Sequence, residues 1–310
     1  VTHVLLRDGA LRLEAAPDLL PLIVHWLPLL PYSERTPDPH GSLVRVIRGD
    51  PHPPPHIRPT LRLGTADAWV EGDGAVLAGN AARCWGEVDL QGGTAELRAP
   101  VGATDDATRW ELYSMASLAC ALLLNRMGRT LAHAAGVVAP DGGAWLLVGD
   151  THAGKSTTVA NLLRCGWGYV SDDNVVLARG GGGIAVEGWP RHFHMDEGWE
   201  AGTPLGRRGA IDPRERWPGQ WMDAAPLAGL LFPRVEPGQP TELAPYPAAD
   251  ALAALLRQSP WLLADRGSAP AVLALLRDAA ARPAFALRLG LDSYADPPLL
   301  AERLRPAWVI

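Results

Sequence analysis

The sequence predicts an α/β protein, and three observations carry that. A strand, a glycine-rich loop, a helix and a second strand follow one another over residues 144–178. Strand and helix patterns alternate from residue 105 to the end, whereas the first hundred residues hold only short β-type stretches. The chain of 310 residues is long enough for two cores, so a small β-rich N-terminal domain over 1–104 and a larger α/β domain over 105–310 are expected.

In the N-terminal hundred, short apolar runs at 4–6, 44–47 and 94–98 are punctuated by Gly, Pro and Asp. The segment 51–59, with Pro53, Pro54 and Pro55 in a row, must be extended. A proline-rich loop cannot present His52 and His56 on one helix face, so they are read as solvated and not as metal ligands.

Residues 105–127 change to a helical pattern, with Asp105 and Asp106 as caps before Leu112, Met115, Leu118, Ala119 and Leu122, and Gly128 as terminator. Strands are predicted at 134–138 and 144–148 around the turn Pro140-Asp141-Gly142-Gly143. The second strand runs straight into Gly149-Asp150-Thr151-His152-Ala153-Gly154-Lys155-Ser156-Thr157, whose continuation to 164 reads as helix. Strands at 169–171 and 175–178 follow, with a hairpin tip at 180–183. Further strands are expected at 227–232, 241–243 and 285–289, and helices at 248–258, 269–281 and 298–304. The stretch 189–221 has little periodicity and is predicted to be a long loop or lid.

The spacing G-x-x-x-x-G-K-[ST] is met by Gly149, Gly154, Lys155 and Ser156, between an apolar strand and a helix, as a Walker A phosphate loop requires. Glycines let several backbone N–H groups converge on one phosphate, and the helix that follows adds its positive end. In such a loop Lys155 neutralises the outer phosphates and Ser156 offers its hydroxyl to Mg²⁺. Of the 28 Lys plus Arg residues Lys155 is the single lysine, so arginine has replaced lysine everywhere except where a compact ammonium is needed.

Two further elements stand near the loop in sequence. Val170-Ser171-Asp172-Asp173 puts paired carboxylates at the end of a short strand, where one could hold Mg²⁺ and the other accept a proton; a solvated turn is the alternative. His133 opens the strand at 134–138; a histidine among apolar neighbours is otherwise a packed one.

Together, Leu131-Ala132-His133-Ala134-Ala135-Gly136-Val137, the phosphate loop and Val170-Ser171-Asp172-Asp173 resemble the His, phosphate-loop and Asp-Asp signatures of the HPr kinase/phosphorylase superfamily, over about residues 130–245. The resemblance implies a PEP-carboxykinase-like P-loop kinase core with a mixed sheet, using ATP and Mg²⁺. It implies that His133 faces the transferring phosphate, that residues 149–157 bind nucleotide, that Ser156 and Asp172 serve the metal, and that Asp173 takes the acceptor's proton. The bifunctional enzymes tend to carry Ser-Gly in mid-loop and Glu after the Ser, where this chain has Thr151-His152 and Thr157. Their Glu-Ile-Arg-Gly-type segment has only Glu187, Glu197 and Glu200 as loose counterparts. The chain is thus more similar to stand-alone relatives of peptide-modification systems, some of which phosphorylate a lasso-peptide precursor.

The expected activity is transfer of the γ-phosphoryl group of ATP to a Ser or Thr hydroxyl of a peptide or small protein. A small-molecule kinase for free serine or a sugar, and a non-catalytic nucleotide-dependent binding module, are the alternatives. In the predicted lid, Arg191, His192, Arg207, Arg208, Arg214 and Arg216 stand with Trp189 and Trp217; arginines suit anionic groups and tryptophans suit a peptide or ring, and a disordered Arg-rich loop is the alternative. A net charge of −6 argues against a nucleic-acid partner. The run 114–124 is too short for a membrane span, and three scattered cysteines suit a reducing, cytoplasmic setting; a homo-oligomer is allowed but not specified.

Overall fold

The computed structural model describes residues 2–6, 8–24, 38–189, 191–196 and 208–308. They form an α/β protein with mixed sheets that divides into two compact units, Val1–Thr130 with Pro260–Leu273, and Leu131–Ser259 with Ala274–Ile310.

The first unit is built on eight strands: β1 (Thr2–Val4), β2 (Leu11–Ala15), β3 (Ser42–Arg48), β4 (Leu61–Leu63), β5 (Ala66–Glu71), β6 (Gly74–Gly79), β7 (Trp85–Asp89) and β8 (Thr94–Ala99). Their order is β1-β2-β3-β8-β7-β6-β5-β4, parallel between β2, β3 and β8 and antiparallel elsewhere. After a short α1 (Leu20–Val24), the long α2 (Asp106–Arg126) packs on β3, β5, β6 and β8. Its cap is the expected one, with Asp105 Oδ1 accepting from Thr108 N at 3.1 Å. Residues 118–125 are buried on every side, which is why this helix shows so little amphipathic contrast. The sequence assigned α2 to the larger domain; its contacts group it with the β-rich one. Segment 51–59 is irregular, and His52 lies against the Trp85 ring, their centroids 4.6 Å apart.

The second unit holds a nine-stranded sheet of β9 (Thr130–Ala132), β10 (Ala134–Val138), β11 (Ala144–Val148), β12 (Gly168–Ser171), β13 (Val175–Gly180), β14 (Gly183–Gly188), β17 (Ala224–Val235), β18 (Glu242–Pro245) and β19 (Ala284–Leu289). The main path is β12-β10-β11-β17-β14-β13-β9, and β19 pairs with both β17 and β18. The β11–β17 and β17–β19 pairs are parallel and the rest of known register antiparallel, so the sheet is mixed. Strands β10 and β11 are buried at every residue, as strands covered on both faces must be. The helices are α3 (Lys155–Arg164), α4 (Pro213–Arg216), α5 (Ala248–Arg257), α6 (Ala269–Ala280), α7 (Leu291–Ala295) and α8 (Pro297–Trp308). Trp145, Leu147, Val159, Leu163, Tyr169 and Leu231 form the heart of one apolar cluster. Gly229 lies against it, and a Cβ there would come 2.3 Å from the Trp145 ring.

The predicted lid is corrected by this core. Within 189–221, β15 (Phe193–Asp196) and β16 (Arg208–Ile211) pair antiparallel, and Trp189, Phe193, Met195 and Trp217 are buried. The tryptophans pack because burying their large apolar surface outweighs any surface role, and the surrounding Gly, Pro and Arg hide the period. Arg214 pairs with Asp212, and Arg216 stands over the Trp217 ring. Arg207, Glu197 and Glu200 lie outside the described residues; Glu187 is a buried residue of β14. Cys84, Cys120 and Cys165 are free thiols, and burial pushes Cys84 and Cys120 up to about 12. No described helix is long and apolar enough to cross a membrane.

Candidate nucleotide and phosphoryl-transfer site

Strand β11 ends at Val148 and α3 begins at Lys155, so residues 149–154 must turn the chain between a buried strand and a helix N-terminus. Gly154 makes the turn possible: its φ of 96° lies in the left-handed region, and a Cβ would meet Leu289 Cδ1 and Val235 Cγ2 at 2.9 Å each. Mid-loop, His152 also has positive φ, 67°, a strained setting for a residue with a Cβ. The loop is stitched by Ala153 N donating to Asp150 O at 3.2 Å, and by Thr158 Oγ1 donating to Gly154 O at 2.8 Å. Asp150 is held from outside, its Oδ1 accepting from Gln258 Nε2 at 2.9 Å.

Lys155 is only 7% exposed, and its ammonium is folded back into the loop. Nζ donates to Gly149 O at 2.6 Å and Asp150 O at 3.1 Å, and stands 3.4 Å from His133 Nε2. Ser156 and Thr157, in the first turn of α3, are partly buried.

His133 sits between β9 and β10, its backbone N–H donating to Gln258 O at 2.8 Å. Its Nδ1 lies 3.4 Å from Asp173 Oδ1. A neutral imidazole with the proton on Nδ1 turns its N–H side toward the carboxylate and its lone pair toward the ammonium. The titration tendency agrees: burial lowers the His133 pKa, Asp173 acts against that, and Lys155 and Arg191 add to it.

Asp173 follows β12 and is the hub of the opposite wall. Its Oδ2 accepts from Asn174 Nδ2 at 2.8 Å and forms an ion pair with Arg191 Nη1. Asp172, adjacent in sequence, faces elsewhere. It is 3% exposed, and its Oδ2 accepts from the backbone N–H of His194 in β15 at 3.0 Å. Thus the structure joins Lys155, His133 and Asp173 in a chain of contacts, and ties Asp172 to the β15 backbone.

A cleft of about 550 Å³ opens on the other flank of the loop. Residues 148–153 form one wall, and Phe232, Tyr246, Ala254, Arg257 and Gln258 contribute to the other. The residues present fit a polyphosphate with Mg²⁺. A left-handed glycine precedes the helix N-terminus, a buried ammonium stands at its mouth, and hydroxyl and carboxylate oxygens suit a hard cation. Among the described residues no group of three or more His, Cys, Asp or Glu side chains is gathered for a metal ion, so such an ion would draw much of its coordination from phosphate and water.

Four residues around the loop and Asp173 were not singled out for these positions by the sequence. Arg191 was legible only as one of many lid arginines, because its partner is 18 residues away and reached through the fold. Gln258, the C-cap of α5, and the Phe232–Tyr246 pair follow no motif; Phe232 is brought beside the loop by the parallel pairing of β11 with β17.

No family model matches the chain, and no curated protein matches it. Among solved structures, the HPr(Ser) kinase/phosphatase from Coxiella burnetii is similar over 57% of this chain and 89% of its own, at 11% identity and a TM-score of 0.34. A likeness that distant carries no argument about activity, so function is argued from the site.

Proposed function

We propose that the chain is an ATP-dependent phosphotransferase with an alcohol as acceptor, a Ser or Thr hydroxyl of a peptide or small protein. The observation that carries the reading is the contact chain from Lys155 through His133 to Asp173 at the mouth of the phosphate loop. A binding module needs the loop and the ammonium, but not a carboxylate set opposite them.

When bound, Mg·ATP supplies the γ-phosphoryl group and leaves as ADP. The chain's part is positioning and charge. Lys155 exchanges its loop carbonyls for phosphate oxygens, and Ser156 is assigned to the metal; Asp172 could join it there only by releasing the His194 backbone N–H. His133, kept neutral, lines the path of the transferred group. Asp173 takes the proton from the acceptor hydroxyl as its oxygen bonds to phosphorus and the bond to ADP breaks. Arg191 must loosen from Asp173 for that, and the incoming phosphate is the anion able to draw it away.

The test is incubation with ATP, Mg²⁺ and a set of Ser-ended peptides, read by mass spectrometry for a phosphoryl-sized gain. Asp173→Asn is expected to lower turnover by about 10²–10⁴-fold while ATP still binds. Full turnover in Asp173→Asn overturns the assigned base. Phosphorylation of free serine with indifference to every peptide moves the acceptor to a small molecule, and tight ATP binding with no ADP formed under any acceptor removes the catalytic reading altogether.

A further inference from the structure

The cleft beside the phosphate loop carries an aromatic platform that the phosphoryl-transfer chemistry does not use. Phe232 and Tyr246 are stacked with centroids 4.2 Å apart and planes 23° from parallel. Phe232 is nearly covered, whereas Tyr246 is partly exposed and lines the cleft. The setting is rigid. Tyr246 lies between Pro245 and Pro247, and its backbone N–H donates to Ala284 O at 2.8 Å, so little freedom is left for a ligand to freeze out.

The cleft's lining also includes the small residues Ala153, Ala254 and Ala286, which offer methyl groups only and leave room beside the ring. Arg257 also lines the cleft and pairs with no carboxylate among the described residues. The cleft shares residues 149–153 with the phosphate loop, while Asp173 and Arg191 are not among its lining. An occupant anchored by its phosphates would therefore extend its other end over Tyr246, away from the acceptor side.

We propose that the Phe232–Tyr246 stack is the platform for the nucleobase, with the Tyr246 ring giving its cleft-facing side to the base. The assignment rests on the phosphotransferase reading and gives the nucleotide a direction: base toward β17 and α5, terminal phosphate toward His133 and Asp173. Because every base has a π-face, the platform selects for a base over none, and only weakly among bases.

Calorimetry on the full chain with Mg²⁺ separates the two ideas, with ATP and inorganic tripolyphosphate as probes. The wild type is expected to bind ATP about ten-fold or more tightly than tripolyphosphate, the range that stacking on one aromatic ring supplies. Tyr246→Ala is expected to bring ATP down to the tripolyphosphate level and to leave tripolyphosphate unchanged, and Tyr246→Phe to keep wild-type affinity for both. Unchanged ATP affinity in Tyr246→Ala overturns the platform, as does an equal loss of both probes, which would mark Tyr246 as a folding residue. If the wild type binds neither probe, the phosphate-loop reading itself fails, and the platform with it.

Discussion

The Nδ1 of His133 lies 3.4 Å from Asp173 Oδ1, and the opposite nitrogen of the same ring lies 3.4 Å from the Lys155 ammonium. One imidazole thus spans a carboxylate and a cation, and its protonation reports on both. Burial lowers its pKa below the usual 6.5, with Asp173 opposing and Lys155 and Arg191 reinforcing. The midpoint of the His133 ring protons in an NMR titration should fall below 6.5. Asp173→Asn should move it further down, because the opposing charge is gone, and Lys155→Met should move it up. The folded state takes up this proton less readily than the unfolded chain, so the ring's contribution to stability is complete above 6.5. It is lost as pH falls from 6.5 toward the folded value. A midpoint at or above 6.5 in the wild type would contradict the neutral tautomer.

Lys155→Arg should not rescue nucleotide binding. The ammonium is 7% exposed and fits between the carbonyls of Gly149 and Asp150 at 2.6 and 3.1 Å, a pocket for three rotatable donors on a point charge. A planar guanidinium is too wide to turn from those carbonyls to a phosphate in the same space. Both Lys155→Arg and Lys155→Ala are expected to weaken ATP by about 10–150-fold, the worth of charged hydrogen bonds. An arginine variant that binds like the wild type would show that charge alone matters, and that the lone lysine of the sequence is an accident.

Much of this was legible in the sequence, for reasons that can be named. Strands β10 and β11, the loop and α3 are local: turn residues, an apolar run and a spaced motif specify each within a few positions. Asp105 as cap is equally local. What escaped was set by distant pairing. Strands β5, β6 and β7 were not singled out within the β-rich domain because Gly and Asp interrupt them, yet each is completed by hydrogen bonds to its neighbours. The β15–β16 pair escaped for the same reason, and its tryptophan-rich surroundings looked like a surface when they were a core. Asp172 and Asp173 were legible as a pair, but they sit in the bend that follows β12, and their carboxylates reach different partners, His194 N and the His133 ring, which only the fold sets in place.

In the first unit, Glu111 is 2% exposed and its carboxylate is the anchor of the β6–β7 connection. It accepts from Ala81 N at 2.7 Å, Cys84 N at 3.0 Å and Arg83 N at 3.2 Å. Gly79 accommodates it, since a Cβ there would lie 1.9 Å from Glu111 Oε2. Glu111→Ala strands three backbone donors at once, and should cost about 2–3 kcal/mol in a denaturant melt. Glu111→Gln keeps one acceptor oxygen and should recover part of that loss. A neutral Glu111→Ala would mean that the connection is held by its backbone turn instead.

The pairing of Arg126 with Asp265 predicts how the same unit responds to acid. Arg126 Nε and Nη2 donate to the two oxygens of Asp265 at 2.6 and 2.9 Å, and Ser268 Oγ and Gly267 N add bonds of 2.6 and 3.0 Å. Burial alone would raise the Asp265 pKa; Arg126, Ser268 and Gly267 overcome it and hold the carboxyl below its ordinary 3.8. A depressed carboxylate contributes its stability fully above the unfolded value, and loses it as pH falls from 3.8 through the folded value. The wild type should therefore lose stability steeply below pH 4, and Asp265→Asn should flatten that part of the curve. Arg126→Ala leaves the carboxylate buried without its partner, and should destabilise by on the order of 3 kcal/mol at neutral pH. It should be less harmful at low pH, where Asp265 is protonated and no longer needs the guanidinium. If Arg126→Ala costs the same at pH 7 and at pH 3, packing of the arginine stem is what the unit loses, and the ion pair is incidental.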